Sequence, residues 1–218
     1  WDEAGEGWVG STPIRRVAES GEVSGLDPVA LLAALAGLAL GPNGSPGPSL
    51  VRGSPVWPSL EPLLECGWLA NAGPSSEPGA KRALAAGLLQ LHDFWGPSHE
   101  AAQEAEDRGE RDSSAYWHGI AHRREPDAWN AGYWFRRVGR HRLFGPLGQA
   151  AAELIDSCGS TPLARAVAKA GVWEPLAFID YCAAARPGTD DDTLARRLQR
   201  LEMIHLLGHT ARGAGFPV

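Results

Sequence analysis

The chain has 218 residues, 44% hydrophobic and 21% charged, with a formal net charge of −6. That size and balance fit a soluble globular protein with one large core or two small ones. A collagen, a disulfide scaffold and a wholly disordered chain are excluded, and the acidic balance argues for no nucleic acid among its partners. The longest strongly apolar run, Val29 to Leu40, has 12 residues and is too short to span a bilayer, so no membrane partner is expected.

Three cysteines, Cys66, Cys158 and Cys182, are far apart and form no CxxC pair. They give no disulfide framework and no thiolate zinc site, and a reducing, cytoplasmic setting is the expectation. No signal peptide or lipidation motif is legible in these residues. Of the 20 basic residues, only Lys81 and Lys169 are lysines, a bias that a GC-rich genome accounts for.

Residues 1–26 show little periodicity and read as an N-terminal arm. Asp27-Pro28 pairs an N-cap with proline at the first helical position, so Val29 to Leu40 reads as a buried helix. Residues 41–58 hold nine Gly or Pro in 18 and read as an exposed loop. Ser59 to Leu69 reads as a short helix, and residues 71–79 as a second cluster of helix breakers. The expected organisation is an arm, helix and loop over 1–58, then a helical domain over 59–218.

From Ala80 to Trp95 the residues Leu84, Leu88, Leu91 and Trp95 form one apolar stripe. Gly96-Pro97 is expected to end that helix, and Ser98 to cap an acidic one through Asp107. Helices are further expected at 112–124, 127–140, 146–157, 161–170, 174–185 and 191–208, with Pro126 dividing the first two. Asp190, Asp191 and Asp192 supply favourable charge at the start of the last. No run alternates as a strand does. The predicted fold is all-α: a compact helical domain with long Gly/Pro-rich loops in the N-terminal third.

Chemistry concentrates between His92 and His141, which holds five of the seven histidines and four of the nine tryptophans. Residues 98–112 carry six acids and two Arg, whereas 116–142 carry six Arg and two acids. An acidic helix packed on a basic one explains that charge pattern alone. Within it lies YWHGIAHRREPDAWNAGYWFRRVGRH, residues 116–141. This stretch, with His92-Asp93, Ser98-His99 and more loosely Trp173 to Arg200, resembles an uncharacterised family of bacteria and fungi. That family is marked by a histidine, an HRREPD-like string and an N-x-x-YWFRRVG string. The resemblance implies kinship but no activity, because the family has none established.

The residues themselves say more. His118 and His122 are four apart, so a helix places them on one face about 6 Å apart along its axis. Two imidazoles so placed can share a divalent cation, and Glu125 follows on the same line. His118, His122 and Glu125 are therefore the candidate ligands, for zinc, manganese or iron. Gly119 stands where the HExxH motif has its glutamate, so that motif is absent. Further ligands must come from elsewhere, with His99, Asp93 and His92 nearest in sequence. Asp93, His99, Arg123 and Tyr133 are the candidate catalytic residues.

An earlier histidine that an HD-type phosphohydrolase would need does not precede His92, so His92 reads as a buried ring fixed by a neighbour. Asn130, Trp134, Arg136 and Arg137 are the candidate substrate-binding residues, because arginine holds carboxylate or phosphate through parallel bonds. Trp117 and Trp129 read as core. Inward arginines without a ligand would need acids, and Asp127 and Asp180 are the expected ones. Glu202, His205 and His209 repeat a ligand-like spacing but share an apolar stripe and read as structural.

No Walker loop, Rossmann glycine string or nucleophile elbow is present, so no nucleotide cofactor is expected. Three functions fit: a hydrolase or lyase with a His/carboxylate site, metal-assisted or not, acting on a small anionic or sugar-like molecule; a non-catalytic module binding such a ligand; or an assembly protein with a buried His/Arg/Asp network. Self-association as a homo-oligomer stays open.

Overall fold

The computed structural model describes residues 27–42, 44–67, 77–159 and 161–217. The expected arm over 1–26 and most of the breaker cluster at 71–79 lie outside them. Among the described residues there are nine α-helices and no strand, as the periodicity predicts. They are α1 (Pro28–Leu40), α2 (Pro78–Leu91), α3 (Trp95–Asp107), α4 (Ser113–Arg124), α5 (Ala128–Val138), α6 (Phe144–Ser157), α7 (Pro162–Val167), α8 (Pro175–Ala184) and α9 (Asp190–Gly213). No helix of the described residues is long and apolar enough to cross a membrane.

Caps set several starts. Asp27, Asp127, Thr161 and Thr189 each accept a backbone N–H in the first turn of their helix. The three aspartates expected to favour the start of the last helix occupy the first turn of α9.

One boundary differs from expectation. The Leu84–Trp95 stripe is split: α2 stops at Leu91, Asp93 takes a positive φ of 64°, and Trp95 opens α3. Gly96-Pro97 does not stop a helix but lies in the first turn of the next, where the missing proline N–H costs nothing. Ser98 is no cap; its buried hydroxyl donates to the Ala86 carbonyl at 2.9 Å. This tight α2–α3 turn brings Trp95 and His99 back over α4. Near the other end, α7 is shorter than expected, because Ala170 takes a φ of 54° and breaks the run to 170.

Two apolar clusters make the core. The larger joins leucines of α1 and α2 with Phe94, Tyr116, Trp117, Ile120 and Phe135. The smaller joins Leu147, Ile155, Trp173, Phe178 and Tyr181 from α6 to α8. Helix α9 belongs to both. Leu194 and Leu198 pack in the smaller cluster, and Met203, Leu206 and Leu207 in the larger.

Two glycines permit the close approach of α4 to its neighbours. A Cβ on Gly87 would lie 2.6 Å from the Trp117 ring, and one on Gly119 would lie 3.1 Å from Phe135. Packing against α5 thus accounts for glycine at the position where HExxH would have glutamate.

The loop over 44–57 is pinned rather than free. Gln199 donates to the Pro48 and Ser49 carbonyls at 3.1 and 3.0 Å, and Arg196 to the Gly47 carbonyl at 2.6 Å. Arg124 donates to the Ser49 carbonyl at 3.1 Å and returns a bond through its own carbonyl, which accepts from the Arg52 N–H at 2.8 Å. Buried side chains therefore satisfy a Gly/Pro-rich segment that has no helical partners of its own.

Candidate metal centre

Helix α4 presents His118 and His122 on one face, with ring centroids 5.1 Å apart and planes within 18°. Helix α3 brings His99 across from them. Its Nε2 lies 2.8 Å from His118 Nε2, and one nitrogen from each of the three rings falls within 4.8 Å of the others. Ligand nitrogens about a tetrahedral zinc stand about 3.3 Å apart, so small rotations would bring the set to bonding geometry.

Two tryptophans hold these rings. Trp134 stacks on His118 at 3.7 Å, and Trp95 stacks on His99 at 5.2 Å. The Trp95 indole N–H is fixed by the Ala121 carbonyl at 2.8 Å. Trp117 is buried as expected, but Trp129 is 78% exposed, on the solvent side of α5.

Tautomers follow from the neighbours. His122 Nδ1 lies 3.1 Å from Glu125 Oε2 and 3.3 Å from the Asn130 amide. The shorter contact, to the carboxylate, favours a proton on Nδ1 over an Nδ1 that accepts from the Asn130 NH2, and a proton there leaves Nε2 as a free lone pair, the arrangement in which a carboxylate orients a metal-binding histidine. Burial, with His99 and His122 nearby, pulls the His118 pKa down to about 3. Burial also lowers that of His99, with His122 adding to the effect. Both rings are therefore neutral near pH 7, the form that binds metals. His118 Nδ1 is buried without a hydrogen-bond partner, while Nε2 of the same ring shares a hydrogen bond with His99 Nε2, one ring donating and the other accepting.

The ligand set differs from the predicted one by an exchange. Glu125 groups with His122 and Asp127, not with His118, and His99 completes the trio. Asp127 is also the cap of α5, accepting the Asn130 N–H at 3.0 Å. Asp93 is drawn elsewhere, onto Arg124 at 2.6 Å and the Gly53 N–H at 3.3 Å. His92 is a buried ring held by the Leu35 carbonyl at 3.0 Å, as expected.

The arginines do not converge on the histidines. Arg123 is buried against Phe178 and bonded to Glu202 at 2.6 and 3.1 Å. Burial works to lower its pKa, but Glu202 outweighs it and the net shift is upward. The cavity that Arg123 does line, with Leu50, Ile179 and Cys182 among its walls, holds about 70 Å³. That is too small for an organic substrate. Arg124 is spent on Asp93, Gln90 and Ser49. Arg137 bonds the buried Glu106 at 2.7 Å, while Arg136 is exposed. The acids are thus Glu202, Asp93 and Glu106 instead of Asp127 and Asp180, and Asp180 faces solvent. Tyr133, 45% exposed, stands edge-on to Trp134 at the rim.

A second cluster has similar composition. Asp112 lies 3.2 Å from His141 Nε2 and 2.8 Å from His209 Nε2. Here the Leu143 N–H donates to His141 Nδ1 at 3.2 Å, which puts the neutral ring's proton on Nε2, at ion-pair distance from Asp112 but without a hydrogen bond to it. A cation at that nitrogen would have to displace a proton for which Nδ1 has no room. The second cluster is a clasp joining the start of α4, the α5–α6 loop and α9, with Asp112 hydrogen-bonded to His209 and at ion-pair distance from His141. Of the predicted structural pair, His205 bonds the Leu201 carbonyl of its own helix, and His209 belongs to this clasp.

Fold and site together define an all-α protein with a three-imidazole cluster beneath a tryptophan pair. No protein-family model, curated protein or solved structure matches the chain.

Proposed function

We propose that the protein is an enzyme, a hydrolase or lyase, whose reaction takes place at a divalent cation held by His99, His118 and His122. The carrying observation is that one nitrogen from each of three tryptophan-packed imidazoles lies within 4.8 Å of the others, with the His99–His118 hydrogen bond where a cation would sit. An all-nitrogen set favours zinc or another late transition metal, with iron next and manganese last of the three expected metals. Three protein ligands leave a fourth position open, as in catalytic zinc sites. Such a cation supplies Lewis acidity and draws the pKa of a water ligand towards neutrality.

The chain's own residues do the rest. Glu125 fixes the His122 tautomer, Trp134 and Trp95 hold the other two rings, and half-buried His99 marks the solvent side. Tyr133 and Asn130 stand at the rim, where a small anionic or sugar-like substrate would enter. The assembly reading retains the other half of the motif: Arg123, Arg124 and Arg137 each spend their charge on an acid of the protein, which supports a scaffold role for them. The free thiols of Cys158 and Cys182 suit a reducing, cytoplasmic setting.

The test is turnover of a panel of small phosphate monoesters, carboxylate esters and hydroxy acids by zinc-loaded protein. Any activity should fall at least ~100-fold in His118→Ala and on chelation. Activity that survives both removes the metal-site reading, and none from protein shown to hold zinc removes the enzyme reading.

A further inference from the structure

Arg52 lies outside the His/Arg string of residues 116–141 and in a loop with no helical periodicity, yet its contacts tie it to the neighbours of the histidine trio. Its guanidinium carbon sits 4.5 Å over the Trp95 ring, and Trp95 in turn stacks on His99. Its Nη2 is 3.8 Å from Glu125 Oε1, beyond hydrogen-bond length, and the other Glu125 oxygen holds His122. Arg52, Trp95, His99, His122 and Glu125 thus form a closed ring of contacts around one side of the site.

Its state contrasts with that of the motif arginines. Arg123, Arg124 and Arg137 have hydrogen-bonded carboxylates. Among the described residues, the Arg52 side chain has a stacking face and a distant carboxylate but no hydrogen bond, and it is 44% exposed. The backbone beneath it is fixed, however. The Arg52 N–H bonds the Arg124 carbonyl at 2.8 Å, the Gly53 N–H bonds Asp93, and Ser49 is held by Arg124 and Gln199. A positioned main chain therefore carries a guanidinium that lies over the Trp95 indole and makes no hydrogen bond among the described residues. Its donors can be offered to a planar pair of oxygens.

We propose that Arg52 is the substrate-recognition residue of this site, binding the oxyanion of a small carboxylate- or phosphate-bearing substrate whose reacting atom lies at the histidine trio. The proposal rests on the metal-site reading for the reaction, but its anion-binding half stands on Arg52 alone. Arg124 and Asp93 then act as positioning residues, because they hold the loop that presents Arg52. Glu125 serves both sides, steadying His122 with one oxygen and offering Arg52 a weak resting partner with the other.

The experiment is calorimetric titration of zinc-loaded and metal-free protein with inorganic phosphate and with acetate. Wild type, Arg52→Gln and Arg52→Lys are compared, with folding checked by circular dichroism and metal by elemental analysis. The expected result is one saturable site in wild type, weakened ~10-fold or more in Arg52→Gln and less in Arg52→Lys, with zinc content unchanged. Equal affinities in wild type and Arg52→Gln overturn the proposal, as does the lack of a saturable response to either anion in wild type. Protein that takes no zinc but binds the anion through Arg52 overturns the metal reading while this assignment stands.

Discussion

The two histidine clusters of this chain have similar ingredients and opposite states. His99, His118 and His122 turn ring nitrogens towards each other, with the carboxylates of Glu125 and Asp127 grouped at His122. His141 and His209 turn theirs onto Asp112, which stands between them. In the first cluster His99 and His118 share one short Nε2–Nε2 hydrogen bond and His118 Nδ1 has no partner; in the second, a backbone N–H donates to His141 Nδ1, His141 Nε2 makes no hydrogen bond, and His209 is bonded to Asp112. Residue type and proximity therefore do not define a metal site. The position of the ring proton matters too, and it is set by which backbone or carboxylate group faces the other ring nitrogen.

The largest effect expected from this difference is on thermal stability. Zinc at about 1,000 times its dissociation constant should stabilise wild type by about 4 kcal/mol. A rise in melting temperature of several degrees should follow, be abolished in His118→Gln and persist in His209→Gln. The reverse pattern would exchange the roles of the clusters.

Acid comes next, and it acts on metal-free protein. Burial holds His92 at about 4, against which the Leu35 carbonyl and Asp93 push upward, and holds His118 at about 3. Both values lie below the usual 6.5, so between them the unfolded chain binds more protons than the folded one. Stability is then full above pH 6.5 and falls as the pH drops towards 4 and 3. For His92 alone the loss at pH 4.5 is on the order of 2 kcal/mol. Urea unfolding at pH 7.5 and 4.5 measures it. His92→Gln and His118→Gln should each flatten the profile, and a flat profile in wild type would contradict the assignment of these rings as buried and neutral.

The smallest effect concerns the clasp. Asp112→Asn keeps the shape and removes the charge that two imidazoles share, at a cost of about 1 kcal/mol because the carboxylate is half exposed. Zinc binding should not change. A loss of zinc in this variant would show that the clasp is the metal site.

Local order was the legible part of this molecule. The helices from α1 to α9 follow from caps and apolar period, and the His118–His122 pair follows from the four-residue repeat on α4. The exchange of Glu125 for His99 was not legible, because it depends on the α2–α3 turn. That turn hinges on Asp93 at positive φ, and Pro97 in a first turn has the same sequence signature as Pro97 after a last one. The acid for Arg123, Glu202, is 79 residues away along the chain, and its register on α9 matches an apolar stripe as well as a ligand spacing. Arg52 lay hidden for a different reason. Its loop has no periodicity, and its position is set by Arg124, Asp93 and Gln199, whose partners are main-chain atoms that carry no mark in the sequence. Depth sets Arg123 apart from the other arginines read as site residues: like Arg124 it is buried and takes its acceptors from the fold itself, whereas Arg136 and Arg137 are exposed.

The account stands most directly on metal stoichiometry. Wild type, a His118→Gln, His122→Gln double variant and a His141→Gln, His209→Gln double variant would be equilibrated with zinc, freed of excess and analysed for bound metal. The account predicts one zinc per chain in wild type and in the His141/His209 variant, and none in the His118/His122 variant. No zinc in wild type, or one zinc retained without His118 and His122, would contradict it.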